Sequence, residues 1–200
     1  MNTATLYEST ADLGLIPPAE RIESDDALYE IVHGQRVEVP VMSLTASRIA
    51  TRLGVSLSRF AEEHKLGEVI IEGLFHLPLS DDLSKSRRPD VAYISFVRIA
   101  AGAPSDVESD AGELVPDLAI EVTSPSVPAE AQRAKVLEYF RAGVQRVWVV
   151  YPKLRVVDVF ESATNVRVFG PDDTLVGDPL LPGFRLPLAQ LFAPFGASQA

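Results

Sequence analysis

The sequence predicts an α/β protein, a mixed β-sheet flanked by helices, and three observations carry that expectation. The stretch "PDLAIEVTSPS", residues 116–126, reads as a buried strand. A helical pattern follows it, ending at Gly143, and then the β-rich run "VQRVWVVYP". A strand, a helix of about a dozen residues and another strand form the parallel crossover unit. The third observation is an amphipathic helix pattern from Leu44 to Leu66.

The elements follow in chain order. Residues 1–22 are mixed and proline-punctuated and read as a disordered lead-in to one domain over 23–192, with 193–200 a flexible tail. "LYEIVHGQRVEVPVM" alternates around His33-Gly34-Gln35 and predicts a hairpin. Ser43 is placed to cap the helix after it, and Gly67 to end that helix. Ala46, Ile49, Ala50, Leu53, Leu57 and Phe60 form its apolar stripe, with Arg48, Arg52 and Arg59 opposite. Those arginines read either as a solvated face or as contacts to nucleic acid. "GEVIIEGLFHLPL" and "RRPDVAYISFV" predict the next two strands, and a small, acidic, flexible loop follows from Ala100 to Gly112. Beyond the crossover, "KLRVVDVFES" returns as a hairpin partner and "NVRVFG" with "TLVG" predicts a last hairpin. "DPLLPGFRLPLAQLF" reads as a closing loop and short helix.

Composition excludes several function classes. The 200 residues include no cysteine, so disulfides and thiolate metal sites are ruled out. Three histidines, His33, His64 and His76, lack zinc-ligand spacing. No run is long enough to span a bilayer, and the N-terminus lacks a secretory pattern, so no membrane partner and a cytoplasmic location are expected. Net charge is −10, which opposes broad, nonspecific binding of nucleic acid but allows a local basic patch. There is no G-x-S-x-G elbow, no Walker phosphate loop and no G-x-G-x-x-G opening a helix.

What remains is a set of acids and one lysine. Strand alternation puts Leu118, Ile120 and Val122 on one face, and Ala119, Glu121 and Thr123 on the other. A carboxylate in so apolar a run must be paired, protonated or bound to a metal. Asp90 follows Pro89 at the mouth of a strand, within reach of a neighbouring Glu121. Two close carboxylates raise a proton affinity or call in a cation, and hard oxygen ligands suit magnesium or manganese. The alternative is that Asp90 caps a turn and Glu121 pairs with an arginine. On the following helix, Lys135 shares a stripe with Ala131, Tyr139 and Ala142 and points either to the sheet or to water.

"RRPDVAYIS", "PDLAIEVTSPS", the lysine and "EYFRAGVQRVWVVYP", in that order, resemble the Uma-two family of PD-(D/E)xK, restriction-endonuclease-like nucleases. "LYEIVHGQRVEVP" and "LLPGFRLPLAQLF" resemble its flanking pattern, so the likeness spans Ala27 to Phe192. The resemblance implies a restriction-endonuclease-like fold and metal-assisted hydrolysis of DNA phosphodiesters. It makes Asp90 the aspartate of "PD" and Glu121 the acid of "(D/E)xK". Asp90, Glu121 and the Val122 carbonyl would then hold magnesium, or manganese in its place. Thr123 stands where the motif lysine belongs, and Lys135 is where a lysine recruited from the helix would stand. The family's usual histidine near the start of the first long helix has no counterpart here. Glu30 matches a glutamate common in the family, Tyr139 is a further auxiliary candidate, and Arg87 and Arg88 would grip the flanking DNA backbone. Restriction-like nucleases often act as dimers, so the resemblance admits a homodimer. Two other readings stay open: a nuclease-fold binding or regulatory module without turnover, and a metal-dependent hydrolase of small phosphoesters.

Overall fold

The first strands, β1 (Tyr29–Val32) and β2 (Gln35–Glu38), form the expected hairpin. Its two-residue turn is His33-Gly34, both at positive φ (50° and 73°), the twist that suits a tight hairpin. The computed structural model describes residues 27–77, 79–102, 114–124, 127–194 and 196. The lead-in expected over 1–22 lies outside them, as does most of the tail. Helix α1 (Leu44–Glu63) opens as read, with the Ser43 hydroxyl accepting a hydrogen bond from the Ala46 N–H. It closes earlier than Gly67. Lys65 takes the left-handed conformation (φ 54°) and the Leu66 N–H reaches back to the Ala61 carbonyl, a Schellman closure made without glycine.

Gly67 instead opens β3 (Gly67–Ile71), where a Cβ would stand 2.1 Å from the Ile94 carbonyl oxygen. The run read as one strand is two, because Glu72 turns left-handed (φ 52°) and donates its N–H to the Asp90 carbonyl. Past that turn, β4 (Phe75–His76) and β5 (Ser86–Arg87) join the hairpin in a small sheet, order β2-β1-β5-β4. Strand β6 (Val91–Ser95) then ends where α2 (Phe96–Gly102) begins, capped by the Ser95 hydroxyl accepting from the Arg98 N–H. Helix therefore replaces the expected strand end and the first residues of the acidic loop, and 103–113 lie outside the described residues.

Strand β7 (Leu118–Val122), helix α3 (Ala129–Arg141) and strand β8 (Arg146–Tyr151) make the expected parallel crossover. Antiparallel β9 (Val156–Phe160) and β10 (Val166–Phe169) complete a six-stranded mixed sheet, order β10-β9-β8-β7-β6-β3. The last hairpin is not the one expected. A short loop, closed by the Glu161 N–H on the Asn165 carbonyl, folds β10 onto β9. That leaves β11 (Thr174–Val176) to pair with β12 (Arg185–Pro187), just before α4 (Leu188–Leu191).

The two faces of β7 part as alternation requires. Leu118, Ile120 and Val122 join Trp148 and Val150 against Ile49, Leu53 and Leu57 of α1. Ala119, Val147 and Val149 pack with Val136 and Tyr139 of α3. Each fully buried aliphatic side chain contributes about 1.5–3 kcal/mol, so these two layers hold the sheet rigid. Glu121 belongs to the α3 face.

Candidate active site

Strands β6 and β7 run antiparallel with Val91 opposite Ile120, so one further step sets Asp90 opposite Glu121. The Val122 N–H donates to Asp90 Oδ2 at 2.5 Å, tying the aspartate to the backbone of β7. Burial, and then the charge of Glu121, push the Asp90 carboxyl up to about 7. It is an acid that keeps its proton well above the usual aspartate range unless a cation takes the proton's place.

Glu121 is held by α3. The Tyr139 hydroxyl donates to Oε1 at 2.6 Å and Lys135 Nζ lies 3.4 Å from Oε2. Lys135 and Tyr139 are four residues apart, so one helix face presents both. Burial, followed by the Glu121 and Glu30 charges, drives the Tyr139 phenol well above its ordinary value, so it acts as a donor. Glu30 arrives from β1, with Oε1 at 2.9 Å from Lys135 Nζ and Oε2 at 2.6 Å from Arg87 Nη1. Burial opposes the lysine's charge, yet Glu121 and Glu30 outweigh it and hold Lys135 above the ordinary lysine value. Its side chain is 21% exposed, which leaves the ammonium a path to a ligand.

The charges continue beyond this pair. Arg87 Nε donates to Glu138 Oε2 at 2.7 Å, and Lys85 joins Glu138 at 3.2 Å and Asp82 at 3.3 Å. Each of these ions meets an opposite one, the condition under which buried charge is tolerated. Lys85, Glu138 and Asp82 escape a reading of the sequence. The signal available was Glu138, three residues after Lys135 on the same helix.

A family model described as "Putative restriction endonuclease", Uma2, matches residues 16–189. The chain belongs to the Uma2 family. A crystal structure from Anabaena variabilis ATCC 29413, titled as a putative nuclease belonging to DUF820, shares the fold at TM-score 0.69 and 19% identity. The alignment covers 82% of this Uma2 chain and 89% of the other, and the fold is restriction-endonuclease-like. No curated protein matches.

Within this Uma2 chain, four of the five arginines singled out from the sequence are engaged with groups of the chain itself. Arg87 is held by Glu30 and Glu138, and Arg88 donates to the Tyr29 and Glu72 carbonyls, so both are engaged within the chain. Arg48 and Arg52 do not form a solvated stripe with Arg59. Arg48 donates to the Ala193 carbonyl, and Arg52 to those of Gln190, Leu191 and Ala193, because the end of a helix leaves carbonyls in need of donors. Arg59 is exposed. Among the described residues, no group of three or more His, Asp or Glu side chains converges as a metal cluster, and no helix is long and apolar enough to cross a membrane. Asp90 and Glu121 remain as hard oxygen donors, Glu30 being shared between Arg87 and Lys135. Two carboxylates fit magnesium, which is commonly held by one or two and keeps several waters.

Proposed function

We propose that the protein is a magnesium-dependent endonuclease that hydrolyses DNA phosphodiester bonds, with manganese as a substitute. The observation that carries this is the opposed pair Asp90 and Glu121, where the inner strand β6 begins and its neighbour β7 ends, with Lys135 against Glu121. The nuclease descriptions of the family and of the structural neighbour support the same reaction class. Asp90, Glu121 and the Val122 carbonyl would hold the cation, which supplies Lewis-acid polarisation of the phosphate and activation of the attacking water. Tyr139 fixes the rotamer of Glu121 through its short hydrogen bond. Glu30 positions Lys135, and the ammonium neutralises charge that develops on the phosphoryl oxygens.

One observation favours a second reading, a binding module without turnover. Lys135 already meets two carboxylates, and Thr123, at the usual lysine position, bonds the Val150 carbonyl. The test incubates supercoiled plasmid and a chromogenic phosphodiester with the protein in magnesium, manganese or EDTA. Nicking that needs the metal and is lost in Asp90→Asn and Glu121→Gln is expected. Plasmid binding without nicking would favour the module, and turnover of the small ester alone would move the substrate away from DNA.

A further inference from the structure

A cavity of about 790 Å³ opens beyond the end of β7, walled by the first turns of α3, the start of α1 and the ends of β8 and β9. Its lining holds none of Asp90, Glu121, Lys135 or Tyr139, but it is built on the same strand β7 and helix α3 that carry the last three. Thr123 is two residues beyond Glu121 on the same strand face, and Val149 is the register partner of Glu121 on β8. Gln132 and Val136 flank Lys135 on α3, and Gln132 stands three residues from it, about 4.5 Å of helix rise.

The lining has two characters. Val127, Val136, Val149, Tyr151 and Phe160 offer apolar and aromatic surface. Against them stands Gln132, 8% exposed, whose amide nitrogen has no hydrogen-bond partner among the described residues. A buried amide left unpaired is unfavourable, and in a cavity wall it points to a ligand atom that would accept its hydrogen bond. Arg133, Lys153 and the hydroxyls of Thr123 and Ser124 also line the cavity, a local basic and polar rim on a chain of net charge −10. The complementary ligand has a flat apolar part with hydrogen-bonding edges and an anionic part beside it. The cavity's volume lies in the range of small-molecule sites and has room for a single nucleotide.

We propose that this cavity receives one nucleotide of the nucleic-acid substrate, drawn out of its stack, with Gln132 hydrogen-bonding the base edge. The inference rests on the nuclease reading for the identity of the substrate. The adjoining phosphate then lies at Asp90, Glu121 and Lys135, so base recognition and bond cleavage are one step apart along the strand. Enzymes that bind an extruded base recognise it in this way, by apolar contact with its faces and hydrogen bonds to its edge.

The test titrates the protein with the four deoxynucleoside 5′-monophosphates and the four nucleosides, following the Gln132 side-chain amide by NMR. At least one should shift that resonance saturably. Ala129→Trp puts an indole at an exposed lining position, away from the core, and should weaken binding by about tenfold or more, since the site depends on its open volume. Gln132→Leu should lower the preference among bases by about three- to tenfold, the worth of one neutral hydrogen bond. Its melting temperature should hold or rise, because an unpaired buried amide is removed. No saturable shift, equal affinity in Ala129→Trp, or a Gln132→Leu protein that only loses stability would each overturn the proposal. Plasmid nicking is scored separately. Nicking without nucleotide binding leaves the nuclease reading and removes this one, whereas cavity binding without nicking supports this site and counts against the nuclease.

Discussion

At Lys135 one ammonium answers two carboxylates, 2.9 Å from Glu30 and 3.4 Å from Glu121. Glu30 keeps Arg87 if the lysine is removed, whereas among the described residues Glu121 keeps the Tyr139 hydroxyl and no cation. Loss of an ammonium that acts mainly in the transition state lowers turnover more than binding. Lys135→Ala should therefore cut plasmid nicking by about two orders of magnitude, the typical cost of lost electrostatic stabilisation. It should also lower the melting temperature, because a carboxylate is left buried. Near-normal nicking with only a lower melting temperature would make Lys135 a structural ion. Asp90 supports a second test, with a definite sign. Its native carboxyl holds a proton up to about 7, against 3.8 for an ordinary aspartate, so the native state binds the extra proton between those values. Metal-free stability contributed by this group therefore falls as pH rises from about 4 to about 7. Glu30 works in the other direction, since its lowered value gives stability that is present above 4.5 and lost as the pH falls. Urea unfolding in EDTA across this range should show the Asp90 slope in the wild type and not in Asp90→Asn. An identical slope in both would assign it to other groups.

Part of the polar side of α1 is a docking surface rather than a solvated one, and Arg52 is the reason. Its guanidinium serves three carbonyls around the end of α4, which holds the C-terminal segment on α1. Arg52→Ala should lower stability by about 1–3 kcal/mol, the cost of leaving such acceptors short of a partner, and leave the salt dependence of DNA binding unchanged. A flatter salt slope with no loss of stability would return Arg52 to the DNA-contacting set. Periodicity along the chain showed that α1 has two faces but could not show what covers the polar one. The same limit runs through the fold. Strand β7, its two faces, the β7-α3-β8 crossover and the Ser43 cap were legible, because each is written in residues close together in sequence. The chain reversals at Lys65 and Glu72 were not, since neither residue type advertises a positive φ. Nor were the two-residue strands β4 and β5, which carry no periodicity of their own. In the site, the placement of Asp90 and Glu121 followed from alternation and from the proline before the strand. Arg87 and Glu30 are 57 residues apart, and only the finished small sheet brings them to one ion pair.

The whole molecule carries 28 acidic and 18 basic side chains, and two of the acids meet where β6 begins and β7 ends. Asp90 and Glu121 sit together there with Lys135 between Glu121 and Glu30, so bringing Asp90 to its charged form is what folding makes unfavourable. A divalent cation that binds the native pair and not the unfolded chain reverses that cost, and mass action then raises stability by about 2.7 kcal/mol at a hundred times its dissociation constant. For a chain of this length that corresponds to a rise of about 5–10 °C in melting temperature. The acidic surface will also attract magnesium weakly, so the rise alone does not locate the ion. Asp90→Asn separates the two contributions, because it removes one acid of the pair and leaves the surface charge almost intact. Scanning calorimetry in EDTA and in rising magnesium should therefore show a large shift in the wild type and a small one in the variant. The variant should also start from a higher melting temperature in EDTA at pH 8, where the native aspartate is forced to ionise beside Glu121. Equal shifts in both proteins would place the bound magnesium on the acidic surface and leave the pair as a structural feature at the ends of β6 and β7.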